Sequence, residues 1–308
     1  MKGLTVRVAE QTADMDKFLQ WYSAKRQRRA GRPPSGKTLQ TLASRVRTCV
    51  RVAGVEGVPG LGTIMGDRVA ITNLLDATAA RVGSGSLRGT VDSLTSFGAY
   101  AVAMGWADSV AVTPQDRPRY VPVRNITVYP DGDVDLMLKV AAVRDLRWWA
   151  FLTTLADSWR RVGEVLALEW DWLNLTAETP HFVLPTTKSG KTNYVPLTKR
   201  LAVEVFSPEN VVALKATRPV RGEWHRDPAV YVFPWSYQVV QGRMQTFCKS
   251  IDVSYQGFHS LRHRGITNAL AAGVPVQAVS MLAGHESIQQ TITTYHHASA
   301  LSYAKYRE

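Results

Sequence analysis

Cysteine is almost missing from this chain. Cys49 and Cys248 are the only two in 308 residues. That is too few for a disulfide framework or a four-cysteine zinc site, and it points to a reducing compartment. Long apolar runs are missing too: no stretch approaches the roughly 20 residues that cross a bilayer. The opening Met-Lys-Gly-Leu-Thr-Val-Arg-Val-Ala-Glu lacks the apolar core of a signal peptide. A secreted, membrane-spanning or disulfide-stapled protein is therefore not expected, and a cytoplasmic one is. Internal repeats and low-complexity tracts are absent. Acid is scarce in one place above all: Lys25, Arg26, Arg28, Arg29, Arg32, Lys37, Arg45, Arg47 and Arg51 follow one another with no Asp or Glu between them.

What is present is the composition of a folded protein, 45% apolar and 20% charged. Its length suits one large domain or two ordinary ones. Lys and Arg number 37 against 25 Asp and Glu, a formal charge of +12. Excess positive charge is the footprint of a polyanion partner, nucleic acid first and anionic membrane second. The nine cations from Lys25 to Arg51 would repel one another on a solvated helix face, which normally interleaves both signs. An array that neutralises phosphates is the better reading. Gly31-Arg32-Pro33-Pro34-Ser35-Gly36 breaks it into helix, loop, helix.

Helical spacing organises the first third: Met15, Phe18, Leu19, Tyr22; then Leu39, Leu42, Val46, Val50; then Val69, Leu74, Leu75, Thr78, Val82; then Val91, Leu94, Phe97, Tyr100, Met104. Four helices are expected in a DNA-binding domain over residues 1–112. Three prolines between Thr113 and Pro122 exclude helix and central strand, so 113–122 reads as a stiff, extended linker. Residues 123–308 form the second domain. It starts as a helix near Asp133 that turns strongly apolar at Trp148 and runs on past Trp159 to Leu168. A β-hairpin follows, Phe182–Leu184 and Tyr194–Leu197, with Lys188 and Lys191 at its tip. Helices resume after Trp235 and end with 288–308. The fold class is mostly α with a small β-sheet in the second domain.

Five local patterns carry chemistry: Arg161-Val162-Gly163-Glu164, Lys188, His259-Ser260-Leu261-Arg262-His263, Gly284-His285 and Tyr295. Each alone has a bland reading. The first is a surface ion pair worth a few tenths of a kcal/mol, Lys188 a solvated turn residue, His259 and Arg262 a polar helix edge, Gly284 a helix C-cap, and Tyr295 packing. Gathered in space, the two arginines, the lysine, the two histidines and the tyrosine suit phosphoryl transfer on a phosphodiester. Guanidinium forks meet non-bridging oxygens bidentately. A phenol, with a free pKa near 10, needs a base or cationic surroundings to attack. The leaving 5′-oxygen needs a proton, which a positioned lysine can give. No Asp/Glu cluster of the kind that holds Mg²⁺ stands beside these motifs, so no metal and no cofactor is expected.

The ordered set Arg161, Lys188, His259-x-x-Arg262, Gly284-His285 and Tyr295 resembles the tyrosine recombinases, in particular the phage integrases. Arg161 to Trp170 is similar to the family's first arginine box, Thr187-Lys188-Ser189-Gly190-Lys191 to its lysine hairpin, and His259–His263 with Leu282–His285 to its second box. The likeness covers roughly 150–298. It implies a C-shaped clamp of a helical core-binding domain and a catalytic domain around double-stranded DNA. Tyr295 would form a 3′-phosphotyrosine link. Arg161 and Arg262 would hold the phosphate oxygens, and Lys188 would protonate the departing hydroxyl, with Lys191 as its rival. His259 would serve proton transfer, and His285 would hydrogen-bond the phosphate. It also implies a monomer in solution, a homotetramer on two duplexes with the last helix (Ala298–Glu308) passed to a neighbour, and a directionality factor or host DNA-bending protein as further partners. The setting would be the cytoplasm of a host bacterium. Trp159 stands two before Arg161 where glycine is common, so a different backbone is expected there. The interval from His285 to Tyr295 exceeds that of many relatives. No additional N-terminal domain is evident, which implies a simple attachment site.

Three rivals compete with this reading. A type IB topoisomerase resembles the chemistry but often carries lysine at the position of His259. A catalytically silent DNA-binding regulator would not need Tyr295. A zinc enzyme could use His259 and His263, spaced i,i+4, but it lacks a following Glu and a third ligand in phase.

Overall fold

The structure, a computed structural model, describes residues 2–119, 127–185, 192–217 and 226–295. The chain divides into two units, Met1–Val121 and Pro122–Glu308. The first is helical: α1 (Lys2–Ala30), α2 (Gly36–Ala53), α3 (Gly57–Thr63), α4 (Arg68–Ala79) and α5 (Ser84–Ala103). Ser35 starts α2 by accepting the Thr38 N–H, and Asp67 starts α4 by accepting those of Val69 and Ala70. Phe18, Val46, Leu61, Ile71, Leu94 and Phe97 are fully buried in one core. Each such side chain contributes about 1.5–3 kcal/mol. α3 is a fifth helix where four were expected. Its Gly-rich sequence disfavours a helix, but Pro59 sits in the first turn, where a missing N–H is harmless. Burial of Val58 and Leu61 then outweighs propensity.

The proline-rich segment is not extended throughout its described part. Pro114–Asp116 is a 3₁₀ turn. Asp116 accepts two bonds from the Arg68 guanidinium, at 2.6 and 2.7 Å, and one from the Thr113 N–H at 2.6 Å. Arg117 pairs with Asp92 at 2.9 Å, and Arg88 donates to the Pro118 carbonyl at 3.0 Å. Prolines remove ladder and helix partners, and side-chain ion pairs replace them. Residues 113–119 thus pack on the first unit.

In the second unit the long helix expected from Asp133 to Leu168 is broken twice. α6 (Asp131–Arg144) stops at Asp145, whose carboxylate caps α7 (Leu146–Ser158) by accepting the Trp148 N–H at 2.8 Å. α7 stops at Trp159, which adopts φ 53°, and α8 (Val162–Leu166) follows. Apolar periodicity does not register a left-handed residue. α7 is buried on every side, with Trp148, Ala150, Phe151, Leu152 and Leu155 at its core. The sheet is antiparallel in the order β1 (Leu173–Asn174), β2 (His181–Leu184), β3 (Asn193–Pro196), with Phe182 opposite Val195. The hairpin tip, with Lys188 and Lys191, lies outside the described residues. A π-helical turn (Arg200–Val205), α9 (Pro208–Ala216), α10 (Tyr237–Ser250), α11 (Phe258–Ala271) and α12 (Val276–Ala283) complete the unit. Residues 288–295 are helical. The fold class is mostly α with one small sheet.

Candidate active site

Three helix ends meet around Tyr295. The first is the α7–α8 junction. Trp159 holds a left-handed backbone that glycine adopts freely, and its indole rests on α11. A Cβ at Gly265 would lie 2.3 Å from the indole ring, so the bare glycine makes room for the tryptophan. Arg161 is the N-cap of α8. Its N–H and its guanidinium donate to the two Glu164 oxygens at 2.9 and 3.0 Å, so the bland ion pair is present. The Arg161 side chain stays 34% exposed.

The neighbouring Arg160 turns inward and is 1% exposed. Its Nη2 donates to the Leu282 carbonyl at 2.6 Å, while Nε and Nη1 have no hydrogen-bond partner among the described residues. Burial lowers its pKa. A Cβ at Gly284 would stand 2.4 Å from its Nη1.

The second end is the start of α11, which brings His259, Arg262 and His263 onto adjoining turns. Arg262 is 4% exposed and donates to the Trp159 carbonyl at 2.6 Å. Burial, then repulsion from Arg161, brings its pKa down to about 10, so it remains a cation at neutral pH. His259 is more open; partial loss of solvation and the charges of Arg262 and Arg161 disfavour its imidazolium. The third end is the C-terminus of α12. Gly284, at φ 67°, closes it and delivers His285, whose Nδ1 lies 2.6 Å from the Thr291 hydroxyl.

Tyr295 completes the cluster. It is 1% exposed, and its hydroxyl is hydrogen-bonded to His263 Nδ1. Its ring lies 5.6 Å from that of His263 and is stacked at 6.4 Å on His285. Burial pushes the phenol up to about 12, against an opposing pull from Arg262. Burial and the neighbouring cations bring both His263 and His285 down to about 4. At neutral pH the site therefore holds fixed guanidinium charge, neutral imidazoles and a protonated phenol. Among the described residues no group of three His, Cys, Asp or Glu side chains is arranged to hold a metal ion.

Arg161, His259, Arg262, His285 and Tyr295 are thus brought together, while Lys188 and Lys191 lie outside the described residues. Two members are not assigned a role by the sequence. For His263 it offers only zinc ligation, although the i,i+4 relation to His259 places it on the same face. Arg160 carried no signal beyond its adjacency to Arg161. In the first unit Lys25, Arg26, Arg28 and Arg29 lie exposed at the end of α1, with Arg32 just beyond it; Lys37, Arg47 and Arg51 are exposed on α2. Arg45 is half-buried and lies against Gly89 of α5.

The profile of the phage integrase family matches residues 131–301. Among curated proteins none matches the chain in sequence. Solved structures similar to it include a lambda integrase dimer bound to a COC′ core site, with 15% identity and a TM-score of 0.64, covering 100% of this chain and 83% of that one. The Tn1549 transposon integrase in complex with transposon right end DNA shares 15% identity with a TM-score of 0.62, over 94% and 98% of the two chains. XerH site-specific recombinase bound to palindromic difH substrate shares 13% with a TM-score of 0.61, over 88% and 80%.

Proposed function

Because the chain belongs to the phage integrase family and is a tyrosine-type site-specific recombinase, we propose that it cuts and rejoins double-stranded DNA at specific sites through a 3′-phosphotyrosine intermediate. The observation that carries this reading is one protonated phenol, Tyr295, enclosed by His263, His285 and the buried cation Arg262. Tyr295 attacks the scissile phosphorus. Arg161 and Arg262 hold the non-bridging oxygens, His285 hydrogen-bonds the phosphate, His259 serves proton transfer and Lys188 protonates the 5′-oxygen. Fixed guanidinium charge aimed at developing oxyanions supplies what a metal would otherwise supply. The covalent link conserves the energy of the phosphodiester, so rejoining needs no ATP. Tyr295 is 1% exposed, so a phosphate reaches its oxygen only after the surroundings of helix 288–295 open.

The cations from Lys25 to Arg51 track the DNA backbone. Four copies act on two duplexes, exchanging the segment Ala298–Glu308, which lies outside the described residues. A directionality factor or host bending protein biases the outcome, in the cytoplasm of a host bacterium. The domains divide as 1–112, 113–122 and 123–308 for this purpose. The test starts from duplexes selected out of a random pool for tight binding. Two copies placed on one supercoiled plasmid should be exchanged to give deleted or inverted products. Relaxation without any exchange would instead identify a topoisomerase, and binding without either a regulator.

A further inference from the structure

By family likeness the proton-transfer role falls to His259. The geometry favours another histidine. Among the described residues only one imidazole is hydrogen-bonded to the nucleophile, and it is His263, through Nδ1. His259 is one turn away, with its ring 5.9 Å from that of His263. His285 lies flat against Tyr295 and has its Nδ1 committed to Thr291.

We propose that His263 is the catalytic residue that takes the proton of Tyr295, leaving His259 to act elsewhere on the phosphate. This rests on Tyr295 being the nucleophile. As Tyr295 Oη bonds to phosphorus and the P–O5′ bond breaks, the phenolic proton passes to His263 Nδ1. The departing 5′-oxygen takes a separate proton from Lys188. In rejoining, the 5′-hydroxyl attacks, the P–Oη bond breaks, and Oη recovers its proton from His263. Nothing is oxidised or reduced, and each proton returns to its donor.

The protonation states fit this direction. The phenol holds its proton and the imidazole is neutral, so the phenol donates and the bare Nδ1 accepts. In the chain alone His263 takes a proton poorly, because it is partly buried and close to His259 and Arg262. A phosphate on Arg262 offsets that charge and raises the basicity of His263 when DNA is engaged. The base is thus silent without substrate. This arrangement also guards the nucleophile from spurious ionisation.

The experiment is single-turnover cleavage of nicked duplexes selected for tight binding, with either a normal 5′-oxygen or a bridging 5′-sulfur at the scissile phosphate. A thiolate leaves without a proton, so sulfur rescues loss of the acid and not loss of the base. His263→Gln should cut at least about 100-fold more slowly than wild type on both substrates, with DNA binding within threefold. Lys188→Ala should recover on the sulfur substrate. Should His263→Gln lose its fold, His263→Gly with added imidazoles supplies the second readout, with rates rising with the basicity of the added base. Cleavage by His263→Gln within threefold of wild type overturns the proposal. So does recovery on sulfur, and so does faster cleavage, which would make His263 a latch. A wild type that forms no adduct on either substrate sinks the recombinase reading itself, whereas a wild-type adduct with a fully active His263→Gln sinks only this inference.

Discussion

A buried guanidinium beside another guanidinium is costly until an anion arrives. Arg262 is 4% exposed, is repelled by Arg161, and has only a backbone carbonyl as its hydrogen-bond acceptor among the described residues. Such preorganised charge stabilises a phosphoryl-transfer transition state without reorganisation at the moment of reaction. Replacing Arg262 or Arg161 by alanine should therefore lower the cleavage rate constant about 10²- to 10³-fold, while gel-shift binding persists. A loss below tenfold would mean that other groups hold the phosphate. At this scale the sequence was legible where residues act in short strings. His259-x-x-Arg262 and Gly284-His285 announce themselves. Arg160 meets Leu282 across 122 positions, and His263 meets Tyr295 across 32; no local pattern encodes such encounters.

Between elements, the α7–α11 crossing decides where Arg161 and Arg262 stand. A non-glycine residue in left-handed backbone costs about 1–2 kcal/mol, and Trp159 bears that cost while its indole occupies the space over Gly265. Gly265→Ala forces a methyl into the indole and should destabilise the second unit by about 1–3 kcal/mol in urea unfolding. Adding Trp159→Gly should recover part of that loss, with a coupling above about 0.5 kcal/mol. Simple additivity would contradict the packing described. Helices with strong apolar spacing were readable here, as was the hairpin. The stop at Trp159 was not, because Asp157-Ser158-Trp159-Arg160 contains neither glycine nor proline. The short α3 and the two-residue β1 were hidden because burial, and not propensity, makes them.

Across the whole molecule, the smaller unit carries the larger excess of positive charge. Residues 1–121 hold 17 Lys and Arg against 9 Asp and Glu, and 122–308 hold 20 against 16. On the function proposed above, the exposed cations at the end of α1 and on α2 release counterions from a DNA backbone. Alanine at Lys25, Arg26, Arg28 and Arg29 together should weaken binding and flatten the slope of log K against log salt by about 0.9 for each phosphate left without its cation. An unchanged slope would turn that surface away from DNA. Composition, charge and the order of the motifs were enough to read this level of the protein. The 3₁₀ turn and ion pairs in the first half of the proline-rich segment are not legible in the sequence, because Arg68 and Arg88, which bind it, lie far off along the chain.

If Tyr295 attacks DNA phosphorus, the bond it forms can be trapped. The protein is incubated with a nicked duplex selected for tight binding, run on a denaturing gel, digested and mapped by mass spectrometry. A covalent species is expected whose nucleotide, joined through its 3′ end, is attached to the peptide containing Tyr295, and which disappears in Tyr295→Phe while DNA binding remains. An adduct at any other residue, or an undiminished adduct in Tyr295→Phe, would contradict it.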